Sequence, residues 1–360
     1  GKQAFEMLKE RHFDLVICMP RMGEMDLQYF TRRANDVAPD VPVVVLASGL
    51  RELAQLESLG GLPYVDRLFL WHGDHRLFFA IVKYVEDRLN VERDTALAGV
   101  NSIILIEDSV GFYSSYLPTL YTELVKQTQA VMTDTQNRLQ RLIRMRARPK
   151  ILLATSYEEG EALFQRYRDT VLGVIVDVAF PRNGKLDEEA GILFAQMVKA
   201  TDPDRPVLVQ SSDNRNKKFA DLLGAGFIHK KSRKLLSEVR GFMQNHLGFG
   251  EFVFRGEQLH EVARARDLRS MSQAIRTVPE ESLMYHASRN HFSTWLMART
   301  EFDLARSLRP LTVADFESPQ ALRDYLHNVL LAYRDRARAG VVSEFSSRDL
   351  GSPNMFVRIG

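Results

Sequence analysis

Acidic side chains end two of the apolar stretches that would form strands, and such groups could hold a cation. Glu107 and Asp108 end SIILIED, residues 102–108, and Asp177 ends VLGVIVD, residues 171–177. In a doubly wound parallel sheet, the carboxyl ends of the central strands open onto one crevice where ligands bind. Three carboxylates there would repel each other without a cation. Oxygen ligands with no His or Cys nearby favour Mg²⁺ over Zn²⁺.

A hydroxyl and an amine come at the ends of two further apolar stretches. Ser211 ends VLVQS, and Lys230 follows GFIH. A carboxylate nucleophile, a divalent cation, a hydroxyl and a lysine together favour phosphoryl transfer to an aspartate. Asp177 would attack in line, while Mg²⁺ and Lys230 would neutralise charge on the transferred group. Each residue alone has an ordinary role in a turn, a cap or solvent, so the prediction depends on their order at successive strand ends.

Strands and helices must position these groups, and the chain predicts two series of them. Apolar stretches alternate with amphipathic ones, as in a parallel sheet with helices on both faces. The two series match: DLVICMPRMGEMDL resembles LGVIVDVAFPRNGKLD, and VPVVVLAS resembles RPVLVQSS. We therefore predict a doubly wound α/β architecture with two related units in tandem, the first without its opening strand.

Helical spacing dominates after Gly250. The stretch that follows Ser318 has this residue as N-cap, Pro319 in its first turn and Gly340 as a stop signal. The predicted domains are residues 1–95, 96–250, a helical linker at 251–345 and the start of a further domain at 346–360. Gly1 leads directly into a helical pattern, so we expect the chain to be an internal fragment.

Composition limits the possible partners and compartment. The 360 residues carry a net charge of +2, which favours neither nucleic acid nor anionic lipid as the main partner. Cys18 is the single cysteine, and this fits a reducing compartment. The sequence contains no signal-peptide pattern and no apolar run near the ~20 residues that span a bilayer. We expect a cytoplasmic protein without a membrane partner.

Residues 100–247 resemble the receiver domain of two-component response regulators, a flavodoxin-like fold. The resemblance rests on the acidic pair, on Asp177 in IVDVAFP, on Ser211 in VLVQSS and on Lys230 in GAGFIHKKS. It implies that Asp177 is the phosphoacceptor and that Ser211 is a switch hydroxyl. It further implies a histidine kinase or phosphotransfer protein as partner, with an attached output domain and a possible homodimer.

The same resemblance assigns two more roles. Glu107, Asp108 and the backbone carbonyl of Ala179 would help Asp177 to hold Mg²⁺, and Phe227 would be the aromatic rotamer switch. The sequence departs from the family pattern at Lys231, where a proline is usual. It also extends the first helix through residues 120–145. These departures affect the expected output surface and dimer mode.

The first unit lacks the same chemical groups. Alignment with the second unit places Met19 at the acceptor position, Ala47 at the hydroxyl position and Trp71 at the lysine position. Methionine cannot accept a phosphoryl group. We therefore predict that residues 1–95 form a degenerate receiver used for packing or dimerisation.

Three functions stay open. The preferred one is a phosphorelay module that regulates an attached domain through Asp177. The second is a scaffold or dimerisation region that is never phosphorylated. The third follows from residues 251–360, which resemble the region before the ATP- and pyruvate-binding domain of phosphoenolpyruvate synthase-like proteins. The full-length protein would then be an ATP-dependent phosphotransferase whose catalytic domain lies after residue 360.

Overall fold

The described chain forms two compact units. The computed structural model describes residues 2–21, 25–59, 61–133, 148–256 and 260–338. One unit holds residues 1–89 and 107–121, and the other holds residues 90–106 and those from 122 onward. No helix within the described ranges is both long enough and apolar enough to cross a membrane.

A three-stranded parallel sheet lies at the centre of the first unit. Its strands are β1 (Val16–Cys18), β2 (Val43–Ala47) and β3 (Arg67–Leu70), in the order β1-β2-β3. Every residue of β2 is buried, as expected for an all-apolar central strand. The helices are α1 (Lys2–Glu10), α2 (Leu27–Val37), α3 (Leu50–Glu57), α4 (Arg76–Ala98), of which residues 76–89 belong here, and α5 (Val110–Thr133), of which residues 110–121 do.

The second unit contains a five-stranded parallel sheet. The strands are β4 (Ser102–Ile106), β5 (Lys150–Ala154), β6 (Val171–Asp177), β9 (Val207–Ser211) and β10 (Gly226–His229). Their order is β10-β9-β6-β4-β5, so the order reverses between β4 and β6. The connecting helices are α6 (Tyr157–Tyr167), α7 (Ala190–Thr201), α8 (Lys217–Leu222) and α9 (Leu235–His246). These parallel sheets agree with the predicted α/β class, whereas two flavodoxin-like domains stay a prediction.

A short hairpin follows the end of β6. Its antiparallel strands are β7 (Phe180–Arg182) and β8 (Lys185–Asp187). Asn183 and Gly184 form the turn with φ of 53° and 72°. Asn-Gly is the preferred pair for such a left-handed two-residue turn. The hairpin therefore fixes the chain directly after Asp177.

The region after Gly250 contains a hairpin as well as helices. Its antiparallel strands are β11 (Phe252–Arg255) and β12 (Glu261–Ala265). The helices are α10 (Leu268–Thr277), α11 (Glu280–Ala287), α12 (His291–Ala298), α13 (Phe302–Leu308) and α14 (Pro319–Arg338). The side chain of Ser318 accepts a hydrogen bond from the Ala321 N–H at 3.1 Å, which confirms this residue as a cap.

Several predictions concern residues outside the described ranges. They are the continuation of the long helix through residues 134–145, the stop signal at Gly340 and the further domain at 346–360. Of the long helix, α5 is described to Thr133, and Leu117, Leu120 and Leu124 on it are buried.

Candidate functional site

The predicted acidic residues come together at the carboxyl edge of the five-stranded sheet. Ile106 is paired with Val176, so the residues that follow them on the neighbouring strands β4 and β6 lie at the same level. One carboxylate oxygen from each of Glu107, Asp108 and Asp177 lies within 4.8 Å of the other two. Glu107 and Asp177 are buried, and Asp108 is half-buried. The strand order reverses at this point, where open α/β sheets bind their ligands.

Asp177 also contacts the predicted lysine. The Nζ of Lys230 lies 2.8 Å from the Oδ2 of Asp177, and both side chains are buried. The N–H of Val178 donates a hydrogen bond to Oδ1 at 2.8 Å. Burial raises the pKa of Asp177 above its ordinary value, and the positive charge of Lys230 opposes this shift. The structure therefore places an acid with a perturbed pKa beside an ammonium group.

The backbone of Asp177 contacts the first turn of helix α7 closely. The N–H of Gly191 donates a hydrogen bond to the carbonyl oxygen of Val178 at 2.9 Å. A Cβ atom at Gly191 would lie 1.8 Å from the carbonyl oxygen of Asp177. Residue 191 must therefore be glycine if the loop after β6 is to keep this conformation. Sequence reasoning did not identify this residue, and the motif AGILF that contains it gives no chemical signal.

Ser211 ends β9 as predicted, and the loop that follows it holds its hydroxyl. The Oγ accepts hydrogen bonds from the N–H of Asp213 at 3.0 Å and from Nδ2 of Asn216 at 2.9 Å. Asn216 was not predicted from the sequence. Its role follows from the turn Asn214–Asn216, which brings its amide back to the strand end.

His229 connects the ends of the neighbouring strands β9 and β10. Its Nε2 lies 2.9 Å from the carbonyl oxygen of Ser212, and its Nδ1 accepts from the N–H of Lys231 at 3.2 Å. Because a carbonyl only accepts, Nε2 carries the proton in this arrangement. The N–H of Lys230 donates to the carbonyl oxygen of Ser211 at 2.9 Å. These bonds hold the predicted hydroxyl and amine on adjacent strand ends.

The remaining predicted residues lie near this edge. Ala179 is half-buried, two residues after Asp177. Phe227 lies on β10, paired with Val209, and is a half-buried side chain packed against the core. The roles of these two residues as a carbonyl ligand and a rotamer switch stay predictions.

The three positions without chemical groups lie at the carboxyl edge of the smaller sheet. Met19 follows β1 and is 49% exposed, whereas Ala47 at the end of β2 is buried. Trp71 follows β3, and its N–H donates to the carbonyl oxygen of Ala47 at 2.8 Å. Its ring packs against Phe78, with centroids 5.2 Å apart. The indole of Trp71 therefore stands at the position that the alignment pairs with Lys230.

The donor set fits a hard divalent cation. Glu107, Asp108 and Asp177 supply carboxylate oxygens, which Mg²⁺ and Ca²⁺ prefer over the nitrogen and sulfur ligands that Zn²⁺ takes. Among the described residues, these three make up the group of potential metal ligands. A cation between them would reduce the repulsion among three like charges.

Comparison with known proteins gives one partial similarity. No protein-family model matches the chain. The transcriptional regulatory protein ZraR of Escherichia coli O157:H7 is 36% identical over 67 residues. The match covers 18% of this chain and 15% of ZraR, so it concerns a small part of both proteins. It supports response-regulator character for that part of the chain. The tandem arrangement and the resemblance to phosphoenolpyruvate synthase-like proteins stay predictions.

Proposed function

We propose that this protein receives a signal as a phosphoryl group on Asp177. The observation that carries the proposal is the arrangement around this carboxylate: two further acids within 4.8 Å of it and an ammonium group at 2.8 Å. The strand order, which is that of flavodoxin-like doubly wound sheets, adds support. The partial similarity to a transcriptional regulatory protein agrees with a regulatory role.

Each residue of the site would have its own role in the phosphoryl transfer. Asp177 attacks as a carboxylate: an Oδ–P bond forms while the bond from phosphorus to the donor breaks, and the donor leaves with the electron pair. Glu107, Asp108, Asp177 and the carbonyl of Ala179 would hold Mg²⁺, which supplies positive charge to the phosphoryl oxygens when bound. Lys230 is already within hydrogen-bond distance of Asp177. It can move its hydrogen bond from the carboxylate to the transferred group.

Ser211 is suited to respond to the new group. Within the described contacts its Oγ accepts two hydrogen bonds, from Asp213 and Asn216, so its proton can still be donated. A phosphoryl oxygen on Asp177 would be a strong acceptor for that proton. Phe227 would then repack on β10 and change the surface used for docking or dimerisation. This is a population shift between two arrangements of one edge of the sheet.

The partners follow from this chemistry. The phosphoryl donor would be a histidine kinase or a phosphotransfer protein. The signal would then pass to an attached output domain or to a second copy of the chain. The resemblance of residues 251–360 to the region before an ATP- and pyruvate-binding domain suggests a phosphotransferase as that output domain.

Phosphorylation by acetyl phosphate tests the proposal. The protein is incubated with acetyl phosphate and Mg²⁺, and intact mass is read for the wild type, Asp177→Asn and Asp169→Asn. Asp169 is a matched control because its side chain is 92% exposed. We expect one phosphoryl adduct in the wild type and the control, and none in Asp177→Asn or without Mg²⁺. A folded wild type with no adduct and no Mg²⁺ binding would reject the proposal in favour of the scaffold.

A further inference from the structure

Strand β3 of the first unit contacts the first turns of helix α5 through specific hydrogen bonds. The N–H of Leu70 donates to the Oγ of Ser114 at 3.0 Å, and both residues are buried. The hydroxyl of Tyr113 donates to the carbonyl oxygen of Leu68. The ring of Tyr113 also packs edge-on against Phe69, with centroids 5.6 Å apart. These contacts fix the helix along its axis and about it.

The same helix begins directly after the acidic pair. The N–H of Ser109 donates to the Oε1 of Glu107 at 3.1 Å. The carbonyl oxygen of Ser109 accepts from the N–H groups of Phe112 and Tyr113, both at 3.1 Å. One residue therefore links the Glu107 carboxylate to the turn that bears Tyr113. A displacement of this turn would move Glu107 and Asp108.

We propose that Ser114 and Tyr113 are positioning residues that set the cation affinity of the acidic pair. This inference rests on the proposed function, and it assigns strand β3 a structural role in the acceptor site. Although Met19, Ala47 and Trp71 offer no phosphoacceptor chemistry, the strand that ends next to Trp71 would hold the helix of the acceptor site. Packing against β3 would thus set the positions of Glu107 and Asp108.

The chain offers a matched control at the next residue. Ser115 donates a hydrogen bond to the carbonyl oxygen of Gly111 at 2.9 Å, within α5 itself. Ser114→Ala and Ser115→Ala therefore make the same chemical change in the same turn of the same helix. They differ in whether a bond to β3 is lost. Any difference between them reports on that bond.

Mg²⁺ binding measured by calorimetry on the full chain tests the inference. We expect Ser114→Ala to weaken Mg²⁺ affinity about three- to tenfold, below the ~10–100-fold typical of residues that bond directly to metal ligands. Tyr113→Phe, which keeps the ring, should weaken it in the same direction. Ser115→Ala should bind as the wild type does, and Ser114→Thr, which keeps the hydroxyl, should restore affinity. Circular dichroism at the titration temperature selects the folded variants.

The outcomes separate the two proposals. If the wild type binds Mg²⁺ and Asp108→Asn does not, the proposed site stands. Equal affinities of Ser114→Ala and Ser115→Ala would then overturn the positioning role alone. Should Ser114→Ala fail to fold, a wild-type affinity in folded Tyr113→Phe would overturn it equally. A wild type that binds no Mg²⁺, or an unaffected Asp108→Asn, would reject the proposed function itself.

Discussion

Lys230 and Asp177 form a buried ion pair, with 2.8 Å between Nζ and Oδ2. The strands β10 and β6 that carry them are not neighbours, because β9 lies between them. The pair forms at the carboxyl edge of the sheet, where Lys230 follows β10. Removing either residue would leave the other as a buried charge without its partner, which would lower the stability of the fold.

Lys230→Met tests how far the site depends on the ammonium group. We expect the adduct from acetyl phosphate to be lost. We also expect the free energy of unfolding at pH 7 to fall by about 2–4 kcal/mol, because breaking a buried pair costs about 3–5 kcal/mol and protonation of Asp177 recovers part of it. Urea denaturation and intact mass give the two readings. Lys217→Met, at an exposed position, is the control. A variant that is phosphorylated at the wild-type rate would contradict this role.

Asp177→Asn should change how stability depends on pH. Burial raises the pKa of Asp177 in the folded protein, so its contribution to stability is present in acid and is lost as pH rises through that pKa. Asparagine does not titrate, so the variant does not lose stability in this way. In Mg²⁺-free buffer, the variant should therefore gain stability relative to the wild type as pH rises towards 7. Urea denaturation at several pH values measures the difference, and a constant difference would show that Asp177 does not titrate this way.

Gly191→Ala should disturb the loop that carries Asp177. The added Cβ would lie 1.8 Å from the Asp177 carbonyl oxygen, so the loop or helix α7 must move. We expect a loss of about 1–3 kcal/mol in the free energy of unfolding, the range typical of overpacked positions, together with a loss of the adduct.

Gly241→Ala is the control for this change. It lies in helix α9, where a Cβ would meet one atom at 3.9 Å, an ordinary contact. Alanine there should stabilise the protein by about 0.5–1 kcal/mol, the difference between the two residues in a helix. Thermal unfolding of both variants gives the comparison. Equal effects would show that the close contact at Gly191 is tolerated.

One buried and one half-buried histidine should make the helical region sensitive to acid. The Nε2 of His286 accepts from the N–H of Arg255 at 2.9 Å, and its Nδ1 lies 2.9 Å from Nδ1 of His291. Burial lowers the pKa of His286 to about 3 and that of His291 to about 4. Both are therefore neutral at pH 7. As pH falls below 6.5, these two histidines take up protons in the unfolded chain before they do so in the folded protein.

Stability should accordingly decrease between pH 6.5 and 4. Each histidine contributes at most about 1.4 kcal/mol per pH unit in this window. Urea denaturation followed by the fluorescence of Trp295, a neighbour of this cluster, measures the slope in a Trp71→Phe background. A flat profile over this range would contradict the neutral pair.

The acidic site could be predicted because it depends on regular structure. Parallel strands bring their carboxyl ends to one edge, so Glu107, Asp108 and Asp177 had to meet once β4 and β6 were neighbours. The contribution of Gly191 could not be predicted in this way. Its importance comes from a close approach between a helix and a loop, which no local pattern records.

Short hairpins were harder to predict than the parallel sheet. In β11 the buried residues Phe252 and Phe254 alternate with half-buried ones, but four residues are too few to distinguish this from a helix. The boundary between helices α10 and α11 is also set by more than a local pattern. Thr277 ends helix α10, and Pro279 precedes α11, so the turn of Val278 and Pro279 separates two helices. Tertiary contacts determined these boundaries.

The division of helix α5 has a consequence for dissecting the protein. Residues 110–121 of this helix belong to the first unit although they follow β4 of the second. Tyr113, Tyr116 and Tyr121 on it are almost fully buried, and each such ring covers about 150–250 Å². A fragment that starts at residue 96 would present these rings to water, and we expect it to aggregate. Recombination or engineering should therefore transfer the two units together.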